Sequence, residues 1–367
     1  MTERHRPYPS HHPLHDMKTI ILTIIILLCS LSGHCRPGET ILPIPTCEAG
    51  EIQPQKPAEG KRLRVGVALG GGGARGAAEV GVLKVIESMG IPIDYIAGTS
   101  IGSIVGGLYA IGYDAQALDT IFRRQKWLSL IGGRNDKYSG DIFRQEGNTT
   151  YVFGFPINRG RKASDNEGAY GIGLSGDSIT TMLDSLTRRY DGVRSFDDLP
   201  IPFRCVAVDI KTHKEVIMDS CELELAMRAS MAIPGAFKPV RWKGHTLVDG
   251  GMLNNLPVDV VLAMGADVVI AIDLEQEDHE DRDFSLKEEF GIGGLLDWLV
   301  SRPDWKKAKE NRELADVYIR PQLLEFGVSS FSEESIGAMI ERGEKAAMKA
   351  KNDLKRLRDR IFAPETH

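Results

Sequence analysis

The chain has 367 residues, of which 42% are hydrophobic and 26% are charged, so it can bury the core of one large domain or two ordinary ones. Its formal net charge of −6 excludes the strongly basic character that binding to a nucleic-acid backbone requires. We therefore expect a globular protein with no nucleic-acid partner.

Residues 1–36 are predicted to form a leader. From Met17 the sequence "MKTIILTIIILLCSLSGHC" gives one lysine, then an apolar run, then small residues, which is the layout of a secretory signal peptide. The apolar run is short for a bilayer span, and an uncleaved anchor is the alternative. Cys35 is a candidate lipidation site, although His34 departs from the small residue that usually precedes such a cysteine. The expected location is therefore outside the cytoplasm, either periplasmic or membrane-associated.

Beyond the leader the cysteines are Cys47, Cys205 and Cys221. The sequence has no Cys-x-x-Cys pair and no histidine at ligand spacing, so it predicts no metal site. Cys205 and Cys221 lie on what read as two arms of a hairpin around residues 212–213. An exported protein can keep a disulfide there, but two buried thiols are the preferred interpretation.

The body of the chain alternates predicted strands and helices. A polar, proline-rich linker over residues 37–61 leads into the strand "RLRVGVAL", and a helix follows with apolar residues at helical spacing. Further strands are predicted at "IDYIAG", "FRCVAVDI", "EVIMD", "DVVIAIDL" and "ADVYIRP". This alternation predicts an α/β fold, a single domain with a mainly parallel central sheet flanked by helices.

The α/β domain is expected over residues 62–321. Within it, residues 132–173 turn polar and glycine-rich, which indicates a long excursion from the sheet. Residues 322–367 are predicted to close the domain with one long helix that opens at a capping serine in "SEESIG". The segment "FGIGGLLDWLV" over residues 290–300 reads as either a packed helix or an interfacial one.

A G-x-S-x-G motif in "AGTSIG" predicts a nucleophile elbow. Gly98 and Gly102 flank Ser100 between a predicted strand and a predicted helix, and this motif lifts a serine hydroxyl onto an exposed corner. A serine is a weak nucleophile at its free pKa, so it needs a neighbouring base.

A glycine cluster in "LGGGGARGAAEVGVL" predicts an oxyanion hole. Its G-x-G-x-x-G spacing, with Asp94 a further 18 residues along, also fits a dinucleotide-binding loop. That interpretation fails on position, because Asp94 stands at the start of the second strand and not at its end. Backbone N–H groups at a helix start are donors for negative charge. The predicted hole comprises Gly71, Gly72, Gly73, Ala74, Arg75 and Gly76, with Arg75 adding rim charge or forming a structural salt bridge.

No histidine after Ser100 stands in a credible place for the base. His213 falls at a predicted hairpin tip, His245 in a predicted turn, His279 in an acidic run and His367 at the terminus. Asp249 ends a short β-like run, and Gly250 and Gly251 then permit a tight turn. Burial raises the pKa of a carboxylate toward the range that general-base catalysis needs. Asp249 is therefore the candidate base.

The ordered set "GGGGARG", "GTSIG", "ASMAIPGAFKPV" and "DGG" resembles the patatin-like phospholipase family, in an exported bacterial form. The likeness runs from about residue 64 to residue 273. It implies a catalytic dyad of Ser100 and Asp249, an oxyanion hole around Gly71 to Gly73, and no metal or cofactor.

The resemblance implies a lipid acyl hydrolase of phospholipase A or lysophospholipase type, which works through an acyl-enzyme. Its partner would be a phospholipid or another acyl ester, with peripheral membrane contact as a further expectation. Two alternatives stay open: an acyltransferase with the same dyad, and a catalytically silent lipid-binding protein. A nucleotide-binding protein is a more distant one.

Overall fold

The structure is a computed structural model that describes residues 62–132, 144–146, 149–151, 176–234, 236–276 and 305–363. The predicted leader and linker lie outside these residues, as do most of the polar excursion, His279, His367 and the segment 290–300. The predicted boundaries of the leader, linker and catalytic domain therefore remain predictions. No helix in the described part of the chain is long and apolar enough to cross a membrane.

Ten strands are described. They are β1 (Val65–Leu69), β2 (Tyr95–Thr99), β3 (Arg144–Glu146), β4 (Thr149–Tyr151), β5 (Phe203–Asp209), β6 (Lys214–Met218), β7 (Val240–Trp242), β8 (His245–Asp249), β9 (Val268–Ile272) and β10 (Val317–Ile319). β3 and β4 pair with each other, and the other eight form one sheet.

Ten α-helices are described. They are α1 (Ala77–Ser88), α2 (Ile101–Ala110), α3 (Ala115–Arg124), α4 (Trp127–Gly132), α5 (Asp177–Thr187), α6 (Leu223–Ser230), α7 (Val258–Ala263), α8 (Trp305–Leu314), α9 (Glu333–Lys349) and α10 (Lys351–Ile361). Short 3₁₀ turns include Gly73–Gly76 and Gly250–Met252, which flank the candidate site described below.

The central sheet is mixed and mostly parallel, as predicted. Its order is β10-β9-β1-β2-β5-β8-β7, in which the first five strands run parallel, β8 is antiparallel to β5, and β7 is antiparallel to β8. β6 pairs antiparallel with the other edge of β5. β1 and β9 are buried along their whole length, which is typical of parallel strands covered on both faces.

Helices cover both faces of this sheet. Val65, Val67 and Leu69 point into the larger core, which includes buried residues of α1 and α2. Ala68 points to the opposite face and packs in a second core with residues of α7. Successive side chains of a strand point to opposite faces, so the apolar run "VGVAL" supplies both cores.

The C-terminal segment departs from the prediction of one long helix. Ser332 caps the first helix, since its hydroxyl accepts a hydrogen bond from the amide of Ser335. The segment then divides at Ala350, whose ψ of 7° lies outside the α-helical range. The second helix still buries Leu354, Leu357 and Ile361 in the larger core. Two helices therefore close the domain instead of one.

The positions of the strands test three local predictions. Cys205 pairs across the sheet with Met218 and not with Cys221, which lies beyond the end of β6, and both cysteines are free thiols. His213 does lie in the turn between β5 and β6. The prediction that His245 lies in a turn is wrong, because His245 begins β8 and pairs with Trp242.

Candidate active site

The site forms where two strands meet end to end along β5. β2 runs parallel to β5 and its last residue, Thr99, pairs with Val206. β8 runs antiparallel to β5 and its last residue, Asp249, pairs with Ala207. β6 occupies the opposite edge of β5 over these positions, so β2 and β8 share one edge and point toward each other. Ser100 follows Thr99, and the register therefore brings Ser100 beside Asp249.

Ser100 and Asp249 are hydrogen-bonded. The Ser100 hydroxyl donates to Asp249 Oδ2 over 2.6 Å, and the two residues are each only 3% exposed. Asp249 Oδ1 accepts a second hydrogen bond, over 2.8 Å, from the Gly251 amide in the following turn. A nucleophile in direct contact with a buried carboxylate is the geometry that proton transfer needs.

The backbone at Ser100 is strained. Its φ of 54° and ψ of −123° place a non-glycine residue in a sparsely populated region, at the corner between β2 and α2. The helix approaches the strand so closely that a β-carbon on Gly98 would lie 2.3 Å from the Gly102 carbonyl oxygen. The close approach explains why the elbow carries glycine at Gly98 and at Gly102, where a β-carbon would lie 2.5 Å from the Leu69 carbonyl oxygen.

Burial changes the acidity of the candidate base. It raises the pKa of Asp249 from its usual value to about 6, although the hydrogen bonds from Ser100 and Gly251 favour the charged form and oppose the rise. Neither His213 nor His245, the histidines that the structure describes, bonds to Ser100 or Asp249. His245 instead contacts Asp209 through Nδ1 over 3.1 Å.

The glycine loop lies beside Ser100. A β-carbon built on Gly71 would lie 3.2 Å from the Ser100 β-carbon, so this glycine lets the loop backbone approach the nucleophile. Several of the predicted donor amides are already engaged. The Gly71 amide donates to the Asn255 carbonyl over 3.1 Å, that of Ala74 to Val328 over 2.8 Å, and that of Arg75 to Gly72 over 3.2 Å.

The amides of Gly72 and Gly73 have no acceptor among the described residues. Gly72 precedes the 3₁₀ turn and Gly73 begins it, and the first amides of a helical turn lack an intrahelical partner. Gly73 has a φ of 58°, and a β-carbon there would lie 2.4 Å from the Val328 carbonyl oxygen. Gly76 ends the turn, packed so closely that a β-carbon there would lie 2.3 Å from an Ile101 side-chain carbon.

Arg75 was expected either to add charge at the rim of the oxyanion hole or to form a structural salt bridge, and its contacts match neither role. Its Nε donates to the Phe326 carbonyl over 2.7 Å, and it forms no ion pair within the described part of the chain. The side chain therefore fastens the glycine loop to the segment that follows β10. No group of His, Cys, Asp and Glu side chains that could hold a metal ion occurs among the described residues.

Ser230 is a site residue that the sequence analysis did not single out. Its hydroxyl accepts a hydrogen bond from the Ser100 amide over 2.9 Å and donates to the Val206 carbonyl over 2.6 Å. It is fully buried, at the end of α6. Ser230 therefore holds the strained backbone of the nucleophile against β5. The quoted motif "ASMAIPGAFKPV" contained this serine, but nothing in its local pattern identified the partner.

Asn255 is the second residue that was missed. Its carbonyl accepts from the Gly71 amide, and its Nδ2 donates to the Gly71 carbonyl over 3.3 Å. Its Oδ1 is buried without a hydrogen-bond partner in the described structure, against Gly71 and Gly251. Asn255 therefore links the glycine loop to the aspartate turn. It lies in "DGGMLNNLPV", where its polar type within an apolar run was the available signal.

With this geometry in place, comparison with known families identifies the class of protein. Residues 67–262 match the model of the family described as "Patatin-like phospholipase". The matched range contains Ser100, Asp249 and the glycine loop, and it covers more than half of the chain. The chain belongs to the patatin-like phospholipase family.

Curated relatives cover the same part of the chain. Lysophospholipase NTE1 of Mycosarcoma maydis is 34% identical over 212 residues, which are 58% of this chain and 10% of the relative. The patatin-like phospholipase domain-containing protein ZK370.4 of Caenorhabditis elegans is 35% identical over 212 residues, which are 57% of this chain and 13% of the relative. This chain therefore matches only a small part of the length of these relatives.

Solved structures that align with most of this chain include two bacterial proteins. The heterodimeric complex ExoU-SpcU from the type III secretion system of Pseudomonas aeruginosa aligns over 83% of this chain and 53% of that chain, with 16% identity and a TM-score of 0.40. VipD from Legionella pneumophila aligns over 80% of this chain and 67% of that chain, with 14% identity and a TM-score of 0.41.

Proposed function

We propose that this protein is a lipid acyl hydrolase in which Ser100 is the nucleophile and Asp249 is the general base. The observation that carries the proposal is the 2.6 Å hydrogen bond between the Ser100 hydroxyl and a buried Asp249 carboxylate. A buried carboxylate with a pKa of about 6 is ionised near neutral pH and is a stronger base than an ordinary aspartate. A two-residue site of this kind needs no histidine.

The reaction begins with proton transfer. As the Ser100 oxygen attacks the ester carbonyl carbon, Asp249 accepts the hydroxyl proton through Oδ2. The tetrahedral intermediate carries a negative oxygen, and the amides of Gly72 and Gly73 are the donors we assign to it. The intermediate collapses, the carbon–oxygen bond to the alcohol breaks, and the alcohol leaves with the proton from Asp249.

Hydrolysis of the acyl-enzyme follows the same path with water. Asp249 accepts a proton from the water molecule as its oxygen attacks the acyl carbon. Collapse of the second intermediate releases the carboxylic acid, and the Ser100 oxygen regains a proton from Asp249. Each residue ends in its starting state, so the cycle balances with water as the only co-reactant.

The substrate class that we propose is an acyl ester of a phospholipid or lysophospholipid. Family membership supports this class, as does the name of a relative, the lysophospholipase NTE1. Apolar acyl chains suit a site whose nucleophile is followed directly by the buried Ile101 and the buried helix α2.

The decisive experiment compares the wild type with Ser100→Ala and Ser103→Ala. Ser103 lies in the first turn of α2 and donates to the Ser100 carbonyl, so its substitution is a matched serine control. We expect a fluorophosphonate probe to label the wild type and Ser103→Ala but not Ser100→Ala, and we expect turnover of an ester panel to follow the labelling. Turnover by Ser100→Ala equal to wild type would contradict the assignment.

The same panel separates the two alternatives. Labelling of Ser100 with no release of free acid, but with acyl transfer to added glycerol or lysolipid, would indicate an acyltransferase. A folded wild type that neither reacts with the probe nor turns over any ester would indicate a silent lipid-binding protein.

A further inference from the structure

Two neighbouring hairpin turns carry a cluster of exposed cations, which we call the basic tips. The β5–β6 hairpin contributes Lys211 and Lys214, and the β7–β8 hairpin contributes Arg241 and Lys243. All four side chains are exposed. The two turns touch, because Lys211 Nζ donates to the Gly244 carbonyl over 3.3 Å. The exposed His213 lies between the first two lysines.

These four cations have no ion-pair partner among the described residues. Other cations of the fold do have one: Lys307 pairs with Glu215 and Asp259, and Arg312 pairs with Asp273. Long, solvated lysine and arginine side chains without an ion-pair partner can contact an external anionic surface. Their concentration on two turns stands out in a chain whose net charge is −6.

The acidic groups near the basic tips do not cancel the positive charge of the four cations. Asp209 is buried and occupied by hydrogen bonds, including the one to His245. Glu215 is neutralised by Lys307. Asp219 and Glu222 are exposed near Lys243, whose Nζ lies 3.5 Å from the Ser220 hydroxyl. The cations outnumber these two carboxylates at the surface.

The basic tips lie at the same end of the sheet as the candidate active site. Val206 of β5 pairs with Thr99, the residue before Ser100, and β5 continues in the same direction to Asp209. β8 starts at the second tip and ends at Asp249. At the usual rise of a strand, the tips extend on the order of 15 Å beyond the site. A flat surface that touches the tips therefore faces the end of the sheet that carries Ser100.

An aromatic ring accompanies the cations. Trp242 is half-buried beside the β7–β8 turn, and Lys243 Nζ lies 4.4 Å from its ring centre. The His245 ring stacks against the Trp242 ring, with 6.4 Å between ring centres. Tryptophan next to lysine is a combination that suits the boundary between lipid head groups and acyl chains, where one part of the side chain is apolar and the other is solvated.

We propose that the basic tips dock the protein on an anionic lipid surface and so turn the active-site end of the sheet toward its substrate. This inference rests on the proposed lipid hydrolase function. Each lysine or arginine near an anionic leaflet strengthens binding about fivefold, and the attraction falls with ionic strength. The four cations together account for a binding energy that a single exposed cation cannot supply.

The test is vesicle sedimentation with the full chain in a Ser100→Ala background, so that binding is measured without turnover. The vesicles are phosphatidylcholine alone, or phosphatidylcholine with phosphatidylserine. The test variant carries Lys211→Gln, Lys214→Gln, Arg241→Gln and Lys243→Gln. The matched control replaces four exposed lysines of the two C-terminal helices by glutamine: Lys345, Lys349, Lys351 and Lys355. Any contribution of the leader is common to all three proteins.

We expect the parent and the control to prefer phosphatidylserine vesicles, and the test variant to lose that preference by more than about tenfold at low salt. Turnover of a soluble short-chain ester by the same variants with Ser100 intact should stay unchanged. Equal binding by the test variant, equal loss in the control, or no preference for phosphatidylserine in the parent would overturn the docking surface. None of these outcomes changes the labelling of Ser100 by the fluorophosphonate probe. The labelling experiment therefore tests the proposed function independently of the docking surface.

Discussion

Two buried aspartates of the same sheet show how local hydrogen bonding sets the chemistry of a carboxylate. Asp249 and Asp209 are 3% and 2% exposed, and both lie where β5 pairs with β8. Burial raises the pKa of Asp249 to about 6. Burial acts on Asp209 in the same direction, but hydrogen bonds outweigh it and hold the pKa of Asp209 well below its usual range.

The number of donors accounts for the difference. Asp249 accepts one bond from a backbone amide and one from Ser100. Asp209 is surrounded by four donors, namely the Lys211 and Thr246 amides, the Thr212 hydroxyl and the His245 ring. A carboxylate with all its lone pairs occupied is a structural anion, whereas one with fewer donors and a serine in contact keeps the basicity that proton transfer needs.

The largest effect is expected for Asp249→Asn. The substitution keeps the shape of the side chain and removes the proton acceptor, so kcat should fall by about 10²- to 10⁴-fold. The measurement is steady-state hydrolysis of a soluble ester, with circular dichroism to verify the fold. Asp209→Asn is the matched control, and its kcat should stay within a few-fold of wild type. An equal loss of kcat in both variants would contradict the assignment of Asp249 as the base and Asp209 as a structural anion.

The pH dependence of the rate is the second prediction. Asp249 acts as a base only when it is ionised, and its pKa is about 6, so kcat/KM should rise with pH up to about 6 and then level off. Below that pH the rate should fall tenfold per pH unit. The measurement is kcat/KM for a neutral ester across the acid range. A rate that stays constant well below pH 6 would show that an ordinary, low-pKa carboxylate is the base.

The third prediction concerns stability. Asp209→Asn should lower the free energy of unfolding by about 1–3 kcal/mol at neutral pH, because it leaves buried donors with a poorer acceptor. The folded pKa of Asp209 is depressed, so its contribution is complete above the unfolded value of about 3.9 and is lost as the pH falls below that value. Urea unfolding of variant and wild type should therefore converge in acid. Asp198→Asn, at an exposed carboxylate, is the control and should change little.

The fourth prediction concerns Glu79, a third buried carboxyl group. Its oxygens have no hydrogen-bond partner within the described residues, since the nearby Gly70 amide already donates to the Ile272 carbonyl. Burial raises the pKa of Glu79 well above its usual value. The folded state then binds a proton that the unfolded state releases above a pH of about 4.3, so stability falls as the pH rises through that window.

Glu79→Gln removes this proton uptake. The variant should gain stability relative to wild type by up to about 1.4 kcal/mol per pH unit as the pH rises toward neutrality. The measurement is the melting temperature of both proteins across that range. Glu341→Gln, at an exposed position, should follow wild type at every pH. Parallel curves for wild type and Glu79→Gln would mean that Glu79 is charged inside the fold.

Much of the sheet could be predicted from the sequence, because apolar strands and small-residue turns are local signals. "VGVAL", "YIAGT" and "VVIAI" are strands at the expected places, and the helix after the glycine cluster follows from its 3.6-residue apolar period. The division of the last helix at Ala350 was not predictable, since the apolar spacing continues through it.

The candidate site could likewise be predicted only in part. The sequence alone singled out Ser100, Asp249 and the glycine loop, since each lies in a short motif whose glycines permit an unusual backbone. Tertiary structure alone decided that β2 and β8 meet end to end along β5, and that Ser230 and Asn255 hold the two halves together. It also decided which buried aspartate keeps its basicity. Those outcomes depend on strand register and on hydrogen bonds between distant residues, such as the one that the Ser230 hydroxyl accepts from the Ser100 amide 130 residues away, and no local pattern encodes such distant pairings.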